Sequence, residues 1–310
     1  MDARVKKKFM SLIEKMTKAY GKSIAINTNL SNYSWFNLGG PADFFFKPEN
    51  KTQLIHFLKE NKKNKLNITI LGAGSNILIR DNGIRGVVIK LGKSFSGLKL
   101  IEPNIIEVGA SSLDRKIAKF AMENGIGNLE FLSCIPGSIG GAIIMNSGCY
   151  GNDISKVLIS IMVIDIDKCI EREILKKDIK FFYRGTNLPR EYIITSVKLK
   201  GKIEDINIIQ KRQDEMIKRK KLSQPSQIKT CGSTFKNLSD DKKAWSLIKE
   251  SGCDNFEVGN AKISKKHCNF FVNNGGAKSA DIESLIKKVR RTVKAKTGVN
   301  LELEIKILGD

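Results

Sequence analysis

The chain has 310 residues, 41% hydrophobic and 28% charged, with 54 Lys and Arg against 32 Asp and Glu for a net charge of +22. This composition excludes a disordered or fibrous chain and leaves room for two domains, while no run reaches the ~20 apolar residues of a membrane helix. The lysines are spread along the whole chain without interleaved aromatic residues, which argues against a nucleic-acid-binding protein and leaves the charge as a matter of solubility and steering.

Apolar positions at Val5, Phe9, Met10, Leu12, Ile13, Met16 and Tyr20 predict an amphipathic helix over 4–20, closed by Gly21. No continuous apolar segment of a secretory signal follows Met1, so a cytoplasmic protein is expected. Residues 34–46 read as a turn, containing Asn37-Leu38-Gly39-Gly40-Pro41-Ala42, that leads into a short apolar strand. Thr52 is placed to cap a helix that ends near Asn61 and buries Leu54, Ile55 and Leu58. His56, within that helix, is expected to be an ordinary surface or packing residue. Residues 67–71 predict a buried strand running into Gly72-Ala73-Gly74-Ser75-Asn76. Ile77 stands where a dinucleotide fingerprint needs its third glycine, and 78–83 reads as strand and turn, which rejects a Rossmann site. The loop can still cup a phosphate through its amides.

Short strands are expected at 86–91, 98–101 and 105–108, then a helix from Ser111 or Ser112 to Asn124. Asp114 would complete an S-x-x-D capping box with Ser111, and Gly125 supplies the left-handed stop. Residues 133–151 place five glycines (Gly137, Gly140, Gly141, Gly148, Gly151) in an apolar stretch. Glycine at this density marks either tight backbone crossings or a backbone that approaches a ligand. Strands at 157–165 and 192–200 flank Phe181-Phe182-Tyr183-Arg184-Gly185-Thr186-Asn187. A basic helix over 206–221, ended by Gln224-Pro225, is taken as a domain boundary. Beyond it come Thr230-Cys231-Gly232-Ser233-Thr234-Phe235-Lys236-Asn237 and a helix with Trp245, Leu247 and Ile248 inward. Lys266-His267-Cys268-Asn269-Phe270-Phe271-Val272-Asn273 and a helix over 279–296 follow. The end of the chain alternates Leu301, Leu303, Ile305 and Ile307 with Glu302, Glu304 and Lys306, so two carboxylates and an amine share the face away from the core. The six cysteines form no C-x-x-C pair and have no histidine at zinc spacing, so reduced structural thiols and no metal are expected.

These segments, in this order, make the chain similar to the flavin-dependent UDP-N-acetylenolpyruvoylglucosamine reductases of peptidoglycan synthesis. The motifs that carry the resemblance are Gly-Ala-Gly-Ser-Asn at 72–76, Ile-Pro-Gly-Ser-Ile-Gly-Gly-Ala at 135–142, Met-Asn-Ser-Gly-Cys-Tyr-Gly at 145–151 and Tyr-Arg-Gly-Thr at 183–186. Gly-Ser-Thr-Phe-Lys-Asn at 232–237, Lys-His-Cys-Asn-Phe-Phe-Val-Asn at 266–273 and the closing Leu-Glu-Leu-Glu-Ile at 301–305 complete them. The resemblance implies an α+β protein. Residues 1–205 would be an FAD-binding domain of the vanillyl-alcohol-oxidase type, in two subdomains parted near 85, and 206–310 a C-terminal substrate domain. It implies noncovalent FAD, since neither histidine lies in a flavin loop, and reduction by NADPH of the enolpyruvyl ether to UDP-N-acetylmuramate.

By the same resemblance Gly72, Ala73, Gly74, Ser75, Asn76, Ile135, Pro136, Gly137, Ser138, Gly141, Asn146 and Gly148 hold FAD. Ser233 is the proton donor, Arg184 and Glu304 stabilise charge, and Lys236 and Asn237 meet the substrate diphosphate. His267 is expected to be a structural hydrogen-bonding residue outside the chemistry. A monomer is expected, with no nucleic-acid partner. Thr186, Leu238 and Cys149 depart from the family's usual serine, proline and alanine. No tyrosine-bearing insertion separates Arg184 from Ser233, which implies the family's shorter second type and leaves open how the site closes over the UDP group. Two rivals are another flavin oxidoreductase, such as an alcohol or sugar-lactone oxidase, and a basic nucleic-acid binder. The oxidase explains the N-terminal loops but not 232–237 or the closing Glu-Leu-Glu.

Overall fold

The computed structural model describes residues 3–239 and 242–310. The first helix spans Ala3–Tyr20 and buries Met16 and Tyr20, while the side chains of Val5, Phe9 and Met10 lie outside those described. A four-stranded sheet follows, ordered Ile24–Asn29, Pro41–Phe46, Ile84–Ile89, Ile68–Ile70, with an antiparallel first pair and parallel neighbours after it. Parallel strands need a crossover, and the helix Lys51–Asn64 supplies it. Its cap is Asn50 rather than Thr52: the Asn50 side chain accepts from the Gln53 N–H at 2.9 Å, and the helix runs on to Asn64. Phe57 joins Leu54 and Leu58 in the core, and Ile55 is half-buried. The strand Ile68–Ile70 is less buried than its apolar run suggests because it forms the sheet edge.

The second sheet has five antiparallel strands, ordered Ile170–Leu175, Leu158–Asp165, Tyr192–Lys200, Ile105–Gly109, Leu98–Glu102. The helices Asp114–Glu123 and Ile139–Ile144 contribute to its core, where Ile106, Val108, Ile117, Ile143, Ile161 and Val197 are buried. The Ser111 capping box does not form. Ser111 Oγ instead donates to Gly92 O at 2.8 Å, and the helix starts at Asp114, behind Leu113, with no side-chain cap. The basic helix, Ile206–Ser223, packs against the turn Glu130–Cys134, where Arg212 reaches Glu130 at 2.7 Å.

The C-terminal part joins a three-stranded sheet (Glu257–Val258, Ala261–Ser264, His267–Asn273) to the helices Ala244–Glu250 and Ser279–Thr297. Ala244, Leu247 and Ile248 face inward, whereas Trp245, expected inside, is 43% exposed. Phe36, Leu38 and Leu78, from the N-terminal part, sit in the same core as Phe235, Phe271, Leu285 and Val289. The alternating end of the chain is not one strand. Only Lys306–Leu308 pairs, parallel with Ile77–Ile79, and upstream of it Leu303 makes a single bridge to Phe235. The segment between crosses from one part to the other and so cannot keep one ladder. Among the described residues no helix is long and apolar enough to cross a membrane.

Leu78 is fully buried on a strand of the N-terminal part but within the C-terminal core. Leu78→Ala is expected to cost about 2–5 kcal/mol, read by urea unfolding. A shared core predicts one cooperative transition shifted as a whole; an unshifted C-terminal transition would show separate cores.

Candidate active site

The loop 72–76 leaves all five backbone N–H groups without an acceptor among the described residues, as do Gly137 and Ser138 of the second glycine loop. The two loops touch, since a Cβ on Gly72 would lie 3.2 Å from Ser138 Oγ. The glycines divide into two kinds. Gly74, at φ +75°, admits no side chain because Tyr33 O would lie 1.9 Å from its Cβ, and at Gly148 Asn152 O would lie at 2.3 Å. These two serve close packing. Gly72 and Gly141 are exposed, with no protein atom nearer than 3.2 Å and 4.0 Å to such a Cβ. There the backbone is open to a ligand. Adjacent unpaired amides beside open glycines are the kind of donors that the pyrophosphate of FAD would require.

Of the other expected cofactor residues, Pro136 is exposed, and Ala73, Ser75, Asn76 and Ile135 are half-buried along the same loops. Asn146 has both ends of its amide engaged by protein: Oδ1 accepts from Ser155 N at 3.1 Å and Nδ2 donates to Phe182 O at 3.2 Å. It ties the second loop to the hairpin that carries Arg184.

That hairpin pairs Phe181–Phe182 with Gly185–Thr186 and turns through Tyr183 and Arg184. Arg184 sits at φ +57° in the left-handed region, a conformation that costs a side-chain-bearing residue about 1–2 kcal/mol. Its guanidinium is held by Nε donating to Glu304 Oε1 at 3.0 Å and Nη2 donating to Gly148 O at 3.1 Å. The Tyr183 ring lies 4.9 Å below it. Burial raises the Glu304 carboxyl above the ordinary carboxylate value, opposed by the Arg184 and Lys236 charges. The expected wet face is therefore split. Glu302 points to solvent, whereas Glu304 turns under Arg184.

Gly232, at φ +78°, turns the chain so that Ser233 bridges Phe270 of the three-stranded sheet. Ser233 is half-buried and its hydroxyl has no partner among the described residues. Beside it Thr234 O accepts from Glu304 N at 2.9 Å, and Cys231 Sγ donates to Ile77 O at 3.0 Å. Asn76 Nδ2 donates to Glu304 O at 3.1 Å. The first glycine loop, the serine turn and the closing segment thus meet at Glu304. Lys236 follows, its ammonium 3.5 Å from the Glu302 carboxylate, while Asn237 Oδ1 accepts from Ala244 N at 3.1 Å and so starts a helix. Both histidines lie outside this cluster. His267 Nδ1 accepts from Asn269 N at 3.3 Å, and His56 shares a 3.0 Å hydrogen bond with Tyr20.

One residue escaped the motif reading. Asp114 is 0% exposed and neither carboxyl oxygen has a hydrogen-bond partner. It lies behind the second glycine loop, with Oδ2 2.9 Å from the position a Gly137 Cβ would take. Burial raises its carboxyl well above the ordinary value. In the sequence it resembled a helix cap, and only three-dimensional burial distinguishes it.

Comparison with known proteins agrees with this geometry. Residues 42–168 match a family described as an FAD binding domain, and 224–308 match the UDP-N-acetylenolpyruvoylglucosamine reductase C-terminal domain. A UDP-N-acetylenolpyruvoylglucosamine reductase of Pelagibacter ubique is 44% identical over 96% of this chain and 98% of its own. One from Rickettsia akari is 43% identical over 91% and 94%. The crystal structure of the Thermus caldophilus enzyme superposes with a TM-score of 0.79 at 30% identity, covering 92% of this chain and 98% of that one.

The Asp114 carboxyl binds its proton more tightly in the folded protein than in the unfolded chain, whose ordinary value is 3.8. Its contribution is therefore whole below that value and falls as pH rises towards the folded value. Asp114→Asn carries no such proton. The stability of wild type relative to Asp114→Asn is expected to fall as pH rises from about 4 towards neutrality, measured by urea unfolding. A difference that stays constant across this range would show an ionised carboxylate at 114.

Proposed function

The chain belongs to the UDP-N-acetylenolpyruvoylglucosamine reductase family, and from that premise we propose how its own residues perform the reaction. It is an FAD-dependent oxidoreductase that reduces the enolpyruvyl double bond of UDP-N-acetylenolpyruvoylglucosamine in peptidoglycan synthesis, giving UDP-N-acetylmuramate. The two glycine loops, 72–76 and 135–142, would hold FAD, which would supply the hydride chemistry between NADPH and the enolpyruvyl double bond. The protein must then hold the negative charge that develops beside the substrate carboxylate and protonate the neighbouring carbon.

Arg184 receives the carboxylate. Its guanidinium is already oriented by Glu304 and Gly148 O, so its free N–H groups are fixed before charge develops, and preorganised donors stabilise such charge most effectively. Glu304, its carboxyl raised by burial, acts best as a neutral donor to the developing enolate. Ser233 gives its proton to the carbon. Lys236 and Asn237 meet the diphosphate, Asn237 through the amide nitrogen that its helix-capping oxygen leaves free. The observation that carries this reading is the meeting at Glu304 of the Arg184 guanidinium, the Asn76 amide and the backbone next to Ser233. The division into a flavin part, 1–205, and a substrate part, 206–310, is part of the same proposal, as are a monomeric state and a cytoplasmic setting, where the UDP-sugar and NADPH occur together.

The purified protein is expected to be yellow, to bleach with NADPH under anaerobic conditions, and to regain its flavin band when UDP-N-acetylenolpyruvoylglucosamine is added. Ser233→Ala should bleach normally but recover about 10³-fold more slowly. Fast recovery would remove Ser233 from the proton step, and a colourless protein that cannot be reconstituted with FAD would overturn the reading. Arg184→Lys keeps the charge but loses the planar donor fork, and is expected to lower kcat/KM for the enolpyruvyl substrate about 10²-fold with NADPH bleaching unchanged. Unchanged kcat/KM would exclude the carboxylate role.

A further inference from the structure

We propose that Cys134 and Cys149 are a redox-active thiol pair that closes into a disulfide under hydroperoxide. Cys134 ends the turn Glu130–Cys134, directly before Ile135 and Pro136 of the second flavin loop. Cys149 lies in the short strand Gly148–Cys149, directly after the carbonyl that holds Arg184. The two segments pack together, and each thiol acts on the proton affinity of the other. Cys149 Sγ also approaches Phe131 O at 3.4 Å, and Ser133 Oγ lies 3.7 Å from Cys134 Sγ.

The surroundings favour one thiolate shared across the pair. Lys220, on the basic helix, donates to Cys134 O at 2.6 Å, and its charge acts on both sulfurs, as the Arg184 charge does on Cys149. The Cys149 thiol, with help from Ser133 and Lys220, lowers Cys134 to about 6, while Cys149 is pushed up. The other neighbouring titratable group, Tyr150, is raised by burial and by the sulfurs, and Arg219 covers its ring at 5.0 Å. Elsewhere in the chain burial raises the thiols, Cys231 to about 12 and Cys253 and Cys268 in the same direction. Reactivity follows the thiolate, so the pair differs in kind from Cys231, Cys253 and Cys268.

The chemistry balances with the peroxide as oxidant. The Cys134 thiolate attacks one peroxide oxygen, the O–O bond breaks, and the leaving hydroxide takes a proton to become water, leaving a sulfenic acid on Cys134. Cys149, giving up its thiol proton, attacks that sulfur, the S–O bond breaks, and a second water leaves. Two thiols lose two electrons and two protons to one peroxide. Cys134 is only 5% exposed, which admits a small oxidant and disfavours a bulky disulfide. The link would join the flavin loop to the residue that follows Arg184's carbonyl anchor. This inference does not depend on the catalytic roles given above.

The test is intact-mass spectrometry and peptide mapping of the FAD-loaded protein after equimolar hydrogen peroxide. Wild type is expected to lose the mass of two hydrogens and yield a single cross-linked peptide joining 134 to 149, reversed by dithiothreitol. Cys134→Ser and Cys149→Ser should each lack that species, and Cys149→Ser should instead show a sulfenic acid on Cys134 trapped by dimedone. A cross-link between other cysteines, oxidation of the pair only to sulfinic acid, or no change in mass would overturn the proposal.

Discussion

Glu304 is the constraint on which the site depends. A glutamate that is largely buried beside a guanidinium must be fixed from several sides, because leaving either group unpaired would be strongly unfavourable. Its backbone N–H is taken by Thr234, its carbonyl by Asn76, and its side chain by Arg184. Three segments distant in sequence are thereby held at one residue. Arg184 in turn keeps a backbone conformation that an isolated turn would avoid, and the Asn146 side chain pins its hairpin through Phe182 O. The strain at Arg184 and the burial at Glu304 support each other. Neither group would hold its orientation without the other.

The glycine loops show how one residue type answers to two different demands. Gly74 and Gly148 exist for close packing of backbone on backbone, whereas Gly72 and Gly141 face open space. A run of glycines does not reveal which is which. The distinction comes from neighbours such as Tyr33, distant in sequence, and Asn152, which a tight turn folds back onto Gly148. The same holds for Asp114, whose place in an S-x-x-D pattern matched a helix cap until the folded chain buried it without a partner.

Much of the architecture was legible from local pattern. The helices near 4–20, 206–221 and 279–296 and the strands 157–165 and 192–200 fall within a few residues of their observed bounds, because hydrophobic period and stop residues act over a single turn or strand. Local pattern failed where long-range contact decides. Alternation at 301–307 predicted one strand whose polar face was either wet or the floor of a site, but the segment divides between the Phe235 bridge and the Ile77–Ile79 edge, with Glu302 exposed and Glu304 on Arg184. Trp245 sits at an apolar helix position yet faces outward beside His267. The roles of Arg184, Ser233 and Glu304 came from motif order. Their convergence, and the part of Asn76 in it, required the fold.

The parallel pairing of Lys306–Leu308 with Ile77–Ile79 also bears on the order of assembly during synthesis. The strand next to the first glycine loop waits for a partner that lies far along the chain. Until those residues leave the ribosome, Leu78 has no C-terminal core to enter and Arg184 has no carboxylate to meet. Closing so long a loop is entropically costly and late. The four-stranded and five-stranded sheets have no strand from beyond residue 200 and can form while translation continues. The Arg184–Glu304 pair forms later than either sheet.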